Sequence, residues 1–200
     1  MDHVRDDRTG PGASTPVGPG TLLVAAPGLT DPNFARTVVY VVEHRAQGSL
    51  GVVLNRPGDA EVWDVLPAWG SAASEPRMVF TGGPVDGTTA LCLAALRTGQ
   101  DAEGLDGVVV VRGPVVLVDL DGDVGRIAPR LRGLRVFAGY SGWDSGQLAG
   151  EIARGDWIVV PGLPDDVLTG RHSDLWGRVL RRQGVPLALL ATFPAEIGLN

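Results

Sequence analysis

Short apolar runs rich in β-branched residues recur along the chain between Gly, Pro and Asp markers: Leu22 to Ala26, Thr37 to Val42, Leu50 to Leu54, Met78 to Thr81, Val108 to Val111, Val115 to Val118, Arg135 to Tyr140 and Trp157 to Val160. Runs of this length and composition, bounded by turn formers, read as strands. Helical spacing is confined to Ala60 to Leu66, Asp144 to Arg154 and Ser173 to Arg182, where pairs such as Leu148 with Ile152, or Trp176 with Val179 and Leu180, share a face. Asp59, Asp144 and Ser173 are the expected caps, with Gln147 completing a capping box after Asp144 and Gly184 stopping the last helix. Strands follow one another too often for a regular βαβ alternation. The expected fold is α+β, a mixed and bent sheet with a few helices at its edges.

Residues 1–18 are polar, carry Gly10-Pro11-Gly12, run into Gly18-Pro19-Gly20 and show no periodicity, so they read as a disordered leader before a single domain spanning 19–200. No stretch approaches the roughly 18 apolar residues of a membrane span, and the first residues lack the apolar core of a signal peptide; a cytoplasmic protein is expected.

Composition narrows the chemistry. All 17 basic residues are Arg, which removes Schiff-base chemistry, a P-loop lysine and a lysine general base. Cys92 is the single cysteine, so an intrachain disulfide is impossible, and its apolar run Thr89 to Leu96 suits a buried thiol. The formal charge of −6 opposes general nucleic-acid binding, which needs a positive footprint. A local patch from Arg126, Arg130, Arg132 and Arg135, or from Arg171, Arg178, Arg181 and Arg182, is the exception to test; the plainer reading is a solvated face. Asp119 to Asp123 has carboxylates at alternate positions, but Gly122 and Arg130 stand where a calcium loop needs other residues, so the segment reads as a turn that caps the next element. No metal or cofactor is expected. Glu43 and His44 fall on opposite faces of a strand and so do not act jointly.

Three Gly-marked polar segments remain. Gly28 to Phe34 with Arg36 leads through the strand to Asn55. Thr81-Gly82-Gly83-Pro84 follows a strand. Gly139-Tyr-Ser-Gly-Trp-Asp144 runs from a strand into a helix bearing Gln147. With Glu43-His44 and the closing Leu199-Asn200, these segments in this order resemble the YqgE/AlgH family of bacterial proteins over about residues 20 to 200. The resemblance implies a compact α+β fold with a barrel-like sheet, in a family whose biochemical activity is not established and of which one branch is named for a proposed role in regulating alginate production. The tail from Phe193 to Asn200 keeps only part of the family's Pro-containing ending.

Residue chemistry supports several readings of these segments. Asp31, Asn33, Arg36 and Asn55 are candidate polar contacts, although Asp31-Pro is first a turn former and Arg36 can pair with Asp31 or with a ligand anion. Thr81, Gly82 and Gly83 offer backbone N–H groups to an anion, or simply a tight turn. Ser141, Trp143 and Gln147 form the opposite wall of a cleft, Trp143 also being suited to plug the core. That arrangement is a non-enzymatic regulatory or adaptor domain binding a protein or small ligand. The alternatives are a hydrolase of small esters or phosphoesters, centred on Ser141 with His172 and Asp174 or on an Asp31-activated water, and a nucleic-acid-binding regulator using the arginine stretches.

Overall fold

The computed structural model describes residues 15–170 and 174–194, and the leader, the Arg171-His172-Ser173 segment and the closing Leu199-Asn200 lie, wholly or for the most part, outside them. Within the described residues lie strands β1 (Thr21–Ala25), β2 (Val38–Arg45), β3 (Gly48–Val53), β4 (Pro57–Glu61), β5 (Met78–Thr81), β6 (Val85–Leu96), β7 (Val108–Arg112), β8 (Val115–Val118), β9 (Leu131–Asp144) and β10 (Trp157–Pro161). Helices are α1 (Val62–Val65), α2 (Val124–Ile127), α3 (Gln147–Arg154), α4 (Pro164–Val167), α5 (Leu175–Arg181) and α6 (Leu187–Leu190). The protein is α+β. Eight strands run antiparallel in the order β10-β1-β2-β3-β9-β6-β8-β7, and β5 joins β9 in parallel while pairing β4 on its other side.

Two long strands curl this sheet into a half-barrel. β9 pairs with β6 over its first part and with β3 over Ser141–Asp144, turning between them at Gly139, whose φ is +71°. The curl carries the end of β7 back towards the start of β1, where the stem of Arg112 fills the space a side chain at Gly20 would need.

In the middle of the sheet the apolar runs are continuous because both faces are covered. Along β1, Leu22 and Val24 face an inner cluster with Tyr40, Val52, Phe137 and Val160, while Leu23 and Ala25 face an outer one with Val39, Val41 and Val53. Helix α5 fills the inner face with Leu175, Trp176, Val179 and Leu180, each burial stabilising by about 1.5–3 kcal/mol. The Trp176 indole N–H donates to the Ala25 carbonyl at 2.8 Å, which satisfies its polar atom inside the core. A second outer cluster packs Cys92, Ala94, Val116 and Leu134 under Val62 and Trp69. Burial pushes the Cys92 thiol up to about 12, because the thiolate would lose its hydration. Ellman's reagent is therefore expected to leave Cys92 unmodified in the native protein and to react within the dead time in 6 M guanidinium; rapid native labelling would contradict this placement.

Several expected boundaries differ. The Thr89 to Leu96 run, read only as a buried segment, is part of the 12-residue β6. Residues 57–61 form β4 instead of opening a helix, so Asp59 lies in a strand and caps nothing; α1 begins after Glu61, without a side-chain cap. Asp144 ends β9, and the cap of α3 is Gly146 in the left-handed region at φ +76°. Half of the anticipated capping box survives, since Gln147 Oε1 accepts the Asp144 N–H at 3.1 Å. Helix α5 is capped by Asp174, which accepts the Gly177 N–H at 2.9 Å. Asp123 accepts the Arg126 N–H, so the aspartate-rich turn does cap α2.

Candidate functional site

The first and third polar segments meet through their aromatic rings. Asp31 folds its loop by accepting the Asn33 N–H at 2.8 Å, while its carbonyl accepts from Phe34 and Ala35. That turn sets Phe34 against Trp143 and edge-on to Trp157, with centroids 6.2 and 5.4 Å apart. Trp143 is only 5% exposed, and its indole N–H donates to Glu151 Oε2 at 2.8 Å, as does that of Trp157. Gln147 Nε2 holds the other carboxylate oxygen at 3.0 Å. One carboxylate on α3 thus organises two buried indoles, a role the sequence hinted at only through the four-residue spacing from Gln147 to Glu151.

The remaining candidates are spent on the backbone. Asn55 donates to the Arg36 carbonyl at 2.9 Å and accepts the Val38 N–H at 3.0 Å, which pins Arg36 in the left-handed region at φ 56°, a conformation costly for a non-glycine residue. Arg36 does not pair with Asp31. Its guanidinium lies 4.1 Å over the Trp176 ring and donates to the Phe193 carbonyl at 3.0 Å. The Thr81 and Gly82 N–H groups bond to Arg56 and Ala138 carbonyls, so neither is offered to an anion. Gly82 and Gly83 are there because β9 passes directly over them: a Cβ at Gly82 would sit 2.2 Å from the Gly139 oxygen, and one at Gly83 2.3 Å from the Tyr140 carbonyl. Ser141 is fully buried and donates to the Gly82 carbonyl at 3.2 Å. No nucleophile elbow is exposed there, and His172 lies outside the described residues.

The three segments therefore converge by packing and leave a groove beside them instead of a cleft between them. This groove, of about 380 Å³, is lined by Glu43, Arg45, Gln47, Ser49, Leu50 and the edge of Trp143, a size in the range of small-ligand sites. The β2–β3 hairpin builds it. A bulge between Val41 and Glu43 shifts the register and sets His44 opposite Ser49. His44 Nδ1 lies 2.7 Å from Ser49 Oγ, and Arg45 pairs with Glu43 at 2.7 Å. Sequence reasoning passed over Arg45, Gln47 and Ser49, although their position around a two-residue hairpin turn beside Gly48 was a readable signal.

The arginine stretches are equally committed. Arg126 donates to the Gly104 carbonyl, Arg130 to those of Asp101 and Glu103, and Arg132 pairs with Asp165 at 2.6 Å. Arg135 is 2% exposed, stacked 4.0 Å over Phe80, and bonded to the carbonyls of Glu75, Val167 and Thr169. Burial among neutral groups lowers its pKa to about 10. Arg181 and Arg182 pair with Asp174 and Asp166, and Arg178 bonds to the Thr169 hydroxyl.

A half-barrel whose inner face is packed by α5 together with residues of α4 and α6, with its polar loops held by hydrogen bonds to the backbone, defines a packed α+β scaffold presenting shallow surface sites. The AlgH-like family profile matches residues 22–188, and the chain belongs to the YqgE/AlgH family. It is 55% identical over 184 residues to a UPF0301 protein of Mycolicibacterium smegmatis, covering 92% of both chains. A UPF0301 protein of Mycobacterium tuberculosis is 52% identical over 195 residues, covering 98% of this chain and 96% of that one. Among solved structures, a Corynebacterium diphtheriae protein matches at TM-score 0.87 and 38% identity, covering 90% of this chain and 95% of that one. The AlgH protein of Pseudomonas aeruginosa matches at TM-score 0.64 and 28% identity, covering 91% and 97%.

Proposed function

We propose that the protein is a non-enzymatic adaptor or regulatory domain of the cytoplasm that binds a protein segment or small ligand in the groove beside Trp143. The observation carrying this reading is the division of labour among polar groups. Asn55, Ser141, Glu151 and the backbone of Thr81 and Gly82 are engaged in holding the scaffold, whereas Glu43, Arg45 and Gln47 surround an open apolar floor of Leu50 and Trp143. Paired opposite charges over an apolar floor suit recognition of a ligand bearing both charges, such as a peptide segment. The engagement of the arginine stretches supports this reading over nucleic-acid binding. No helix among the described residues is long and apolar enough to cross a membrane.

A hydrolytic reading moves from Ser141 to Ser49, because the 2.7 Å contact with His44 is a nucleophile–base distance. It lacks an orienting acid, since Glu43 is held by Arg45. Both readings are tested by adding a panel of amino acids and dipeptides while following the Trp143 indole N–H resonance. Groove binding predicts shifts that Gln47→Trp, which fills the groove from an exposed position, abolishes. The absence of any shift overturns it. Turnover of p-nitrophenyl acetate that falls at least tenfold in Ser49→Ala would establish the hydrolase in its place.

A further inference from the structure

The eight-strand path ends at β7, which pairs with β8 alone among the described residues. Successive residues of a strand point to opposite faces, yet Val109 and Val110 are both exposed, at 63% and 54%. Each face of the strand thus carries one exposed valine, while Val108 and Val111 pack against the core clusters, and no other strand among the described residues pairs with its outer edge. Natural edge strands are usually blunted by lysine, proline or inward charges, but Val108 to Val111 is all valine, and the one charged residue, Arg112, folds its stem against Gly20. Inward from this edge, over the face that Val109 shares with β8 and β6, lies a groove of about 600 Å³ lined by Leu66, Leu91, Val109 and Leu117 together with Asp119 and Asp121. The loop entering β7 adds exposed Glu103 and Asp106. Two arginines border these acids without an ion pair to Glu103, Asp106, Asp119 or Asp121 among the described residues: Arg126 lines a small pocket with Asp106 and Asp119 and donates to the Gly104 carbonyl, and Arg130 bonds to Asp101 and to loop carbonyls.

We propose that β7 is a second, independent docking site, which takes up an extended segment of a partner protein with β-branched residues flanked by Arg or Lys, added as an antiparallel or parallel strand. The backbone edge supplies hydrogen bonds, the Val109 end of the groove takes a side chain on that face, and carboxylates without an ion pair among the described residues select the cationic flanks. The same charges disfavour a second copy of this chain, because symmetric edge pairing would bring carboxylates of both copies within a Debye length, about 8 Å at physiological salt.

The test uses the full chain and two fluorescein-labelled hexapeptides, Arg-Val-Thr-Val-Thr-Arg and its Glu-flanked counterpart, read by anisotropy. The cationic peptide is expected to bind at least tenfold more tightly than the anionic one, and its affinity to fall with salt. Val109→Lys, at the groove, is expected to weaken it at least tenfold with an unchanged urea midpoint, and Asp119→Asn with Asp121→Asn about threefold. Gln47→Trp is expected to leave it unchanged, which keeps this site separable from the groove beside Trp143. Equal binding of both peptides, no binding at millimolar concentration, or binding that persists in Val109→Lys overturns the proposal. A concentration-dependent dimer in sedimentation that Val109→Lys dissolves would overturn it in favour of a second copy.

Discussion

Gly82→Ala is expected to lower the unfolding free energy by about 3 kcal/mol or more, the upper end of overpacking costs, as measured by urea denaturation. A Cβ at this position would stand 2.2 Å from the Gly139 oxygen and 3.1 Å from Phe137 Cβ. The Gly139 oxygen belongs to the backbone and cannot swing aside like a side-chain tip. Nor can the loop retreat, because the Gly82 N–H donates to the Ala138 carbonyl and its own carbonyl accepts from both Val53 and Ser141. Accommodating the methyl therefore means parting β9 from β3 and β5 where the sheet curls. Gly87→Ala is the control, since a Cβ there meets nothing within 4 Å, and its effect should stay within about 0.5 kcal/mol. Equal effects for the two would show that close backbone approach is not what selects glycine at 82.

Glu151→Leu is expected to cost about 3 kcal/mol by the same measurement, with a red shift of native tryptophan emission. Hydrogen bonds to a charged group contribute about 1.5–3 kcal/mol each, and this carboxylate accepts two indole N–H groups at 2.8 Å from a well-buried pair. Leucine keeps the helix and much of the volume but leaves both donors without an acceptor. Glu151→Gln retains an amide oxygen and should recover about half of the loss, ending about 1.5 kcal/mol below wild type, because neutral bonds are roughly half as strong. If leucine and glutamine variants are equally stable, the carboxylate is not the organiser of the Trp143–Trp157 pair.

Strand positions were legible wherever the chain runs as an uninterrupted apolar stretch, even at β7, where two of the valines are exposed. Met78–Thr81 and Val115–Val118 coincide with β5 and β8, since an uninterrupted run of large apolar residues has few other places to go. Legibility failed where context decides. β4 reads Pro-Gly-Asp-Ala-Glu and is almost fully exposed; nothing intrinsic favours a strand there, and pairing with β5 imposes it. β6 begins with Val-Asp-Gly-Thr-Thr, polar and Gly-bearing, and is drawn into the sheet by β9. Of the candidate site, the segments themselves were visible as polar interruptions, and their meeting could not be, because the Phe34–Trp143 contact joins residues more than a hundred positions apart. The polar character of Asn55, Ser141 and Arg36 was a true signal with a different meaning: a tightly curled sheet consumes side-chain hydrogen bonds to stabilise its own bends. The groove residues Arg45 and Gln47 were overlooked for the opposite reason, as they resemble any exposed hairpin turn.

β9 holds β3, β5 and β6 at once. A strand shared in this way couples the two halves of the molecule, so that neither can open while the other stays closed. Amide protons along Val136 to Gly142 should accordingly be the last to exchange, and only through global unfolding. The half-barrel is then one cooperative unit from end to end, in which a binding event at one rim meets a stiff body and not a hinge.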